Sequence, residues 1–181
     1  MLVEAAARFD PTDELGLAIE TLTGVADVAV AADDRSAREL WRYREAHTEA
    51  INLLGAPHKL DVTLPAGELA RFSTEVRAEV ATVAPDAQIW LFGHAADGNL
   101  HVNVTGVAPD DERITDVVLQ LVARRHGSIS AEHGIGNAKR AWLSLVRAPA
   151  EIDAFRAIKR ALDPANLLNP HVLLPADDAT S

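Results

Sequence analysis

The chain contains no cysteine. A disulfide framework and thiolate ligands are therefore excluded, and any metal site has to be built from histidine, aspartate or glutamate. Basic residues are outnumbered, with 17 Lys and Arg against 27 Asp and Glu, a formal charge of -10 and no Lys/Arg run. Nothing in that pattern neutralises a row of phosphates, so neither nucleic acid nor an anionic membrane surface is an expected partner. An anionic substrate would have to be met by a local cationic pocket. No apolar run approaches the roughly 20 residues of a membrane span, and the first residues, MLVEAAARFD, lack the basic start and long apolar stretch of a secretion signal. Low-complexity segments and visible repeats are missing too. These absences predict a soluble, cytoplasmic chain. Its 181 residues suffice for one domain with a sizeable core, or for two small sub-domains sharing a sheet layer.

What is present concentrates in residues 87–105, AQIWLFGHAADGNLHVNVT. Two β-type runs flank Asp97-Gly98, a pair suited to a two-residue primed turn. With that turn His94 sits directly across from His101, Cβ atoms about 5 Å apart, so that two imidazoles could grip one metal ion. Alternation puts His101, Asn103 and Thr105 on one face and Leu100, Val102 and Val104 on the other, giving a chemical side and a core side. The competing reading is a hairpin with two incidental histidines.

Around this hairpin the pattern predicts alternating elements. Residues 2–7 (LVEAAA) start abruptly, as a strand or a helix start, as though cut from inside a larger protein. Asp10-Pro11-Thr12-Asp13 opens a helix that runs to about Leu22, and residues 25–31 (VADVAVA) alternate as a strand. A long helix is expected from Ser36 to Leu54, with Arg44 and Thr48 four apart on one face; a solvated charged face is the simpler explanation of that pair. In HKLDVTLP, Leu60, Val62 and Leu64 point one way and Lys59, Asp61 and Thr63 the other, although most lysines are merely exposed. Helices are expected over residues 66–83, after Pro109, over 138–146 and over 150–162, with a short strand in SISAEHGIGNAKR, an irregular strip ANLLNPHVLLP and a loose tail at 176–181. The order β-α-β-α-β-α-β-β-α-β-α predicts an α+β fold, a mainly antiparallel sheet with helices on one side, ferredoxin-like, with duplication as a further option.

His94, His101 and Glu132 together would give three N/O ligands and an open fourth position, the arrangement of a catalytic rather than a structural zinc site. Glu132 lies 31 residues beyond His101, so only the fold could bring it near. A helix-start carboxylate is its plainer role. His133, in a glycine-flanked bend, is the best general-base candidate because imidazole titrates near working pH; the plainer alternative is a loop histidine. GIGNAK matches neither the GxxxxGK[ST] nor the GxGxxG pattern, which excludes a nucleotide loop of either type.

The strings FGHAADGNLHVNV, GSISAEHGIGNAKR and ALDPANLLNP, with WRYREAHTEA and HKLDVTLP upstream, resemble the C-terminal cap domain of FAD-linked oxidases. That group includes D-lactate dehydrogenases, the glycolate oxidase flavin subunit and D-2-hydroxyglutarate dehydrogenases. The likeness is colinear over residues 1–175, and HKLDVTLP most resembles the hydroxyglutarate branch. The resemblance implies that His94, His101 and Glu132 bind zinc or a similar divalent ion, with Asn103 beside them touching substrate or flavin. It implies that His133 takes the hydroxyl proton while hydride moves to flavin, and that Arg44, Thr48 and Lys59 hold substrate carboxylates. Asn103, Glu132 and Asn169 are the positions it directs toward the cofactor. A bound divalent ion would lower the substrate hydroxyl pKa as a Lewis acid, and the arginine fork suits a carboxylate.

Two departures from the family pattern stand out, Ala96 where the motif carries glycine and Asn169-Pro170-His171-Val172 in place of NPGK. The implied partners are a small 2-hydroxy acid and an FAD-binding domain outside these residues, with a homodimer left open. The chain alone would then be inactive. A stand-alone zinc hydrolase and a non-catalytic binding module with a vestigial site are the competing classes.

Overall fold

The computed structural model describes residues 2–31 and 33–175. The chain divides between Ala50 and Ile51 into two compact units. The tail expected at 176–181 lies outside the described residues.

In the first unit, α1 (Thr12–Glu20) follows Asp10, whose carboxylate accepts from the Thr12 backbone N–H at 3.0 Å and its hydroxyl at 2.6 Å. α2 (Asp34–Glu45) begins with a reciprocal cap: Ser36 N–H donates to Asp33 Oδ1 at 2.8 Å, and Asp33 N–H donates to Ser36 Oγ at 3.2 Å. A turn at Ala46 separates α2 from α3 (His47–Asn52), where the sequence predicted one continuous helix. The strand expected at 25–31 does not form, and residues 2–7 are neither strand nor helix. Alternation states which residues would share a face but supplies no partner strand; Val25, Val28 and Val30 stay 48%, 46% and 69% exposed.

The second unit carries the sheet. β1 (His58–Thr63), β2 (Gln88–His94) and β3 (Asn99–Thr105) form an antiparallel sheet in the order β1-β3-β2. α4 (Leu69–Val83) links β1 to β2, and α5 (Glu112–Arg124) follows β3. Leu60, Val62, Val102 and Val104 point from one face into a core completed by Phe72, Val76 and Val80 of α4 and Ile114, Val118, Leu119 and Val122 of α5. Both helices therefore cover one side, as the alternation predicted. Arg125, just past α5, clamps the pair together by donating from Nε to Glu75 Oε2 of α4 at 2.9 Å.

The series β1-α4-β2-β3-α5 is ferredoxin-like, with its last strand reduced to a bridge. Thr63 and Ser128 exchange N–H···O bonds of 3.0 and 2.8 Å in antiparallel sense. The expected strand near residue 128 is thus a single pairing, and one such unit, not two, forms among the described residues. Its approach is set by the end of α5. His126 N–H donates to the Ala123 carbonyl at 3.0 Å and Gly127 N–H to the Val122 carbonyl at 2.9 Å, a Schellman closure with His126 at φ 57°. The glycine one residue on serves close packing, since a Cβ at Gly127 would lie 2.4 Å from the Thr63 carbonyl oxygen.

The helix expected over 138–146 is a 3-10 segment, Arg140–Leu145, and α6 (Pro149–Leu162) closes the helical part. Beyond it Asp163 organises the irregular strip by accepting the Leu167 and Leu168 N–H groups, each at 2.9 Å, and pairing with Lys159. The Lys159 ammonium, aided by those amides and opposed by burial, pulls the Asp163 carboxyl down to about 2. Among the described residues no helix is long and apolar enough to cross a membrane.

Candidate functional site

The polar face of the sheet is laid out in cross-strand rows. Lys59, Asn103 and Trp90 form one, Asp61, His101 and Phe92 the next, and Thr63, Asn99 and His94 the third. Asp61, Asn99 and Asn103 are buried, whereas Lys59 and His94 are exposed. The Phe92 ring lies 5.0 Å from the His101 ring, centroid to centroid.

The hairpin register corrects the expected metal pair. His94 pairs with Asn99 and Phe92 with His101, so four residues, Ala95 to Gly98, make the loop instead of two. His94 and His101 still share a face, but as diagonal neighbours, a separation of about 7–8 Å between backbones rather than the 5 Å of direct partners. The reason is tertiary. Leu64 N–H donates to the Gly98 carbonyl at 3.0 Å, and a Cβ at Gly98 would lie 2.0 Å from the Leu64 carbonyl oxygen, so this glycine is committed to contact with the end of β1. Asp97 Oδ1 accepts the Asn99 N–H at 3.0 Å, turning the chain into β3.

Onto this face folds the segment after Ser128. Asp61 Oδ2 accepts the backbone N–H of Glu132 at 2.8 Å and that of His133 at 3.3 Å. The same oxygen stands 3.8 Å from His133 Nδ1, and Asp61 Oδ1 stands 3.4 Å from His101 Nδ1. The two imidazoles lie nearly parallel, 29° apart, with centroids 6.4 Å from one another. Asn99 Nδ2 donates to Glu132 Oε1 at 2.8 Å, and the buried Lys139 donates from Nζ to the Asp61 carbonyl oxygen at 2.8 Å.

Burial alone would push the Asp61 carboxyl up. The Glu132 and His133 amides, with the His133 and His101 imidazoles, outweigh it and hold the group below the usual carboxylate value. Burial pushes the Lys139 ammonium down, and the nearby Asp61 partly offsets this.

His101, Glu132 and His133 are thus brought to one place, with Lys59 and Asn103 in the adjoining row. His94 stands in the outer row, on the edge strand. Asn169 is in the irregular strip at φ 47°, a conformation asparagine tolerates, and the strip is tied to the glycine bend where Leu173 N–H donates to the Gly136 carbonyl at 3.0 Å. Arg44 lies in the last turn of α2 and Thr48 belongs to α3, on either side of the turn at Ala46.

Among the described residues no three His, Asp or Glu side chains are grouped to hold a metal ion. His94 lies one row from His101 on the same face, and Glu132 Oε1 accepts from the Asn99 amide. Gly134 and Gly136 in the bend beside His133 have φ of 74° and 57°, and a Cβ at either would meet nothing within 4 Å.

Asp61 and Lys139 were not singled out from sequence. Alternation had put Asp61 on the Lys59 face, but its partners lie 71 and 72 residues away, and the fold alone joins them.

The family described as FAD linked oxidases, C-terminal domain, matches residues 10–173. The chain belongs to this family. Among curated proteins it is 39% identical over 165 residues to a D-2-hydroxyglutarate dehydrogenase of Xanthomonas citri pv. viticola, covering 86% of this chain and 34% of the relative. It is 34% identical over 154 residues to the mitochondrial D-2-hydroxyglutarate dehydrogenase of Arabidopsis thaliana, covering 83% and 27%, and 35% identical over 154 residues to that of Bos taurus, covering 83% and 28%. The chain therefore spans about a third of the length of these relatives. As a member of the FAD linked oxidases, it has its polar sheet face and glycine bend within the matched segment.

Proposed function

We propose that this chain is the substrate-side domain of an FAD-dependent dehydrogenase that oxidises a 2-hydroxy acid of the D-2-hydroxyglutarate class. The observation that carries the proposal is the meeting of Asp61, His101 and His133 on the polar face of the sheet, in a chain whose relatives bear that activity in their names. An FAD-binding domain outside these residues completes the enzyme, and the chain alone does not turn over. FAD, when bound, supplies the acceptor for the hydride leaving C2.

His133 takes the hydroxyl proton. Its Nδ1 lies 3.8 Å from Asp61 Oδ2, which leaves Nε2 for the substrate. Loss of the O–H proton to His133 and of the C2 hydrogen with its electron pair leaves a carbonyl, so the product is the 2-oxo acid. Lys59 holds a carboxylate as a point charge at the edge of the face, with Asn103 beside it. Arg44 and Thr48 are assigned to carboxylates by motif likeness alone. Asn103, Glu132 and Asn169 meet the flavin side. His94, His101 and Glu132 are the donors a divalent ion would use, by motif likeness alone, and no step of this chemistry is routed through one. The cytoplasm is the proposed location, although the plant and mammalian relatives above are named mitochondrial.

Lys59 gives the test of substrate class. In the flavin-loaded enzyme Lys59→Met removes a charged hydrogen bond worth about 1.5–3 kcal/mol, so KM for D-2-hydroxyglutarate should rise tenfold or more. D-lactate, which lacks the second carboxylate, should be little affected. Equal effects on both substrates, or on neither, would remove Lys59 from the second carboxylate and with it the reason for preferring a dicarboxylate.

A further inference from the structure

We infer that Asp61 is a positioning residue for the reaction: its carboxylate anchors the Glu132–His133 backbone to the sheet and orients the His133 imidazole toward substrate. The inference deepens the proposed function and rests on His133 being the proton acceptor. Three observations converge on one buried group. The carboxylate side chain is 5% exposed, yet one oxygen accepts two consecutive backbone N–H groups, of Glu132 and His133, at 2.8 and 3.3 Å. Such a double anchor fixes both the position of the segment and the direction in which its next side chain departs. The same oxygen stands 3.8 Å from His133 Nδ1, while the other faces His101 Nδ1 at 3.4 Å. The carboxylate is thus forked between two rings that come from different parts of the chain.

Asp61 is itself held. Its carbonyl accepts from the buried Lys139 ammonium at 2.8 Å, so the far end of the glycine bend is tied to the residue that anchors the near end. Between these ties, Gly134 and Gly136 have positive φ and nothing packed where a side chain would be. Left to itself, that bend would let His133, whose side chain is 70% exposed, sample many orientations. An exposed imidazole on a glycine-flanked bend needs an anchor to act at a defined distance, and Asp61 is the group in contact with both its backbone and its ring. Replacing the carboxylate by an amide keeps the shape but puts an N–H donor or a neutral oxygen where two amides and a ring converge. A displacement of the base by about 1 Å is enough to cost on the order of 10²-fold in rate.

The experiment is a double-mutant cycle in the flavin-loaded full-length enzyme, reading the rate of flavin reduction and KM for D-2-hydroxyglutarate in Asp61→Asn, His133→Ala and the double variant. Expected is an approximately 10²-fold fall in the rate for Asp61→Asn, little change in KM, and no further fall when His133→Ala is already present. A fall that persists in the His133→Ala background would show a general structural role and overturn the inference, as would an Asp61→Asn rate equal to the parent's. If His133→Ala itself is harmless, the assignment of His133 fails and the inference falls with it; harm from His133→Ala alone sinks only the role of Asp61. Should Asp61→Asn not fold, amide hydrogen exchange in the unsubstituted protein decides. The Glu132 and His133 amides should be protected relative to Gly134, and exchange as fast as that of Gly134 would overturn the anchor.

Discussion

Replacing His133 by alanine in the flavin-loaded enzyme should slow flavin reduction by D-2-hydroxyglutarate about 10²–10⁴-fold, the range general base catalysis contributes. The expectation follows from what His133 does not do as well as what it does. Its ring is no part of the core, being 70% exposed, so its loss leaves no cavity and the protein should stay folded. It carries no substrate carboxylate in the proposed chemistry, so KM should move far less than the rate. A parallel fall in both binding and rate would point to a substrate-holding histidine instead. Unchanged rate with unchanged KM would take the proton step away from this residue. Stopped-flow measurement of flavin absorbance under anaerobic conditions reads the rate directly, and circular dichroism of the variant confirms that the fold is kept.

The second large effect concerns stability. Phe72 on α4 is 0% exposed and lies in the cluster with Leu60, Val62, Val102 and Val104 of the sheet and with α5. Phe72→Ala removes a ring that neighbouring side chains cannot replace, at a cost of about 3–5 kcal/mol. Against a whole-domain stability of about 5–15 kcal/mol this is a large share, and the urea midpoint should fall with little change in slope. Leu167, 79% exposed in the strip after α6, provides the contrast: Leu167→Ala should stay within about 0.5 kcal/mol of the parent. Similar small changes for both substitutions would contradict a core built between the α4–α5 layer and the sheet. The site would lose its support too, because Asp61 and His101 occupy the same strands whose other residues, Leu60, Val62, Val102 and Val104, form that core.

Much of this was legible in the sequence for a simple reason. In HKLDVT and NLHVNV the period of two sorts apolar from polar residues without knowledge of partners, and the core and chemical faces follow directly. Partners are what alternation cannot supply. VADVAVA has the right period and no strand to pair with, so it forms no strand and its valines stay exposed. The turn failed for a related cause. Asp97-Gly98 favours a two-residue loop locally, but the Gly98 backbone is taken up by Leu64 and the Asp97 side chain by Asn99, and both demands lengthen the loop. That two-residue slip moved His94 one row away from His101 while leaving it on the same face, and among the described residues no three His, Asp or Glu side chains are grouped to hold a metal ion. Glu132 and His133 stood out by residue type and by their glycine-flanked setting, and motif likeness supplied their expected roles. The residue that brings them to the sheet, Asp61, shows in the sequence only as a polar position on an alternating strand.

The most direct measurement is anaerobic titration of the flavin-loaded enzyme with D-2-hydroxyglutarate, monitored by flavin absorbance. Bleaching of the bound flavin with formation of the 2-oxo acid is the expected result, with D-lactate clearly less effective. FAD that remains oxidised in a folded, loaded protein, whichever 2-hydroxy acid is supplied, would contradict the proposed chemistry of this sheet face.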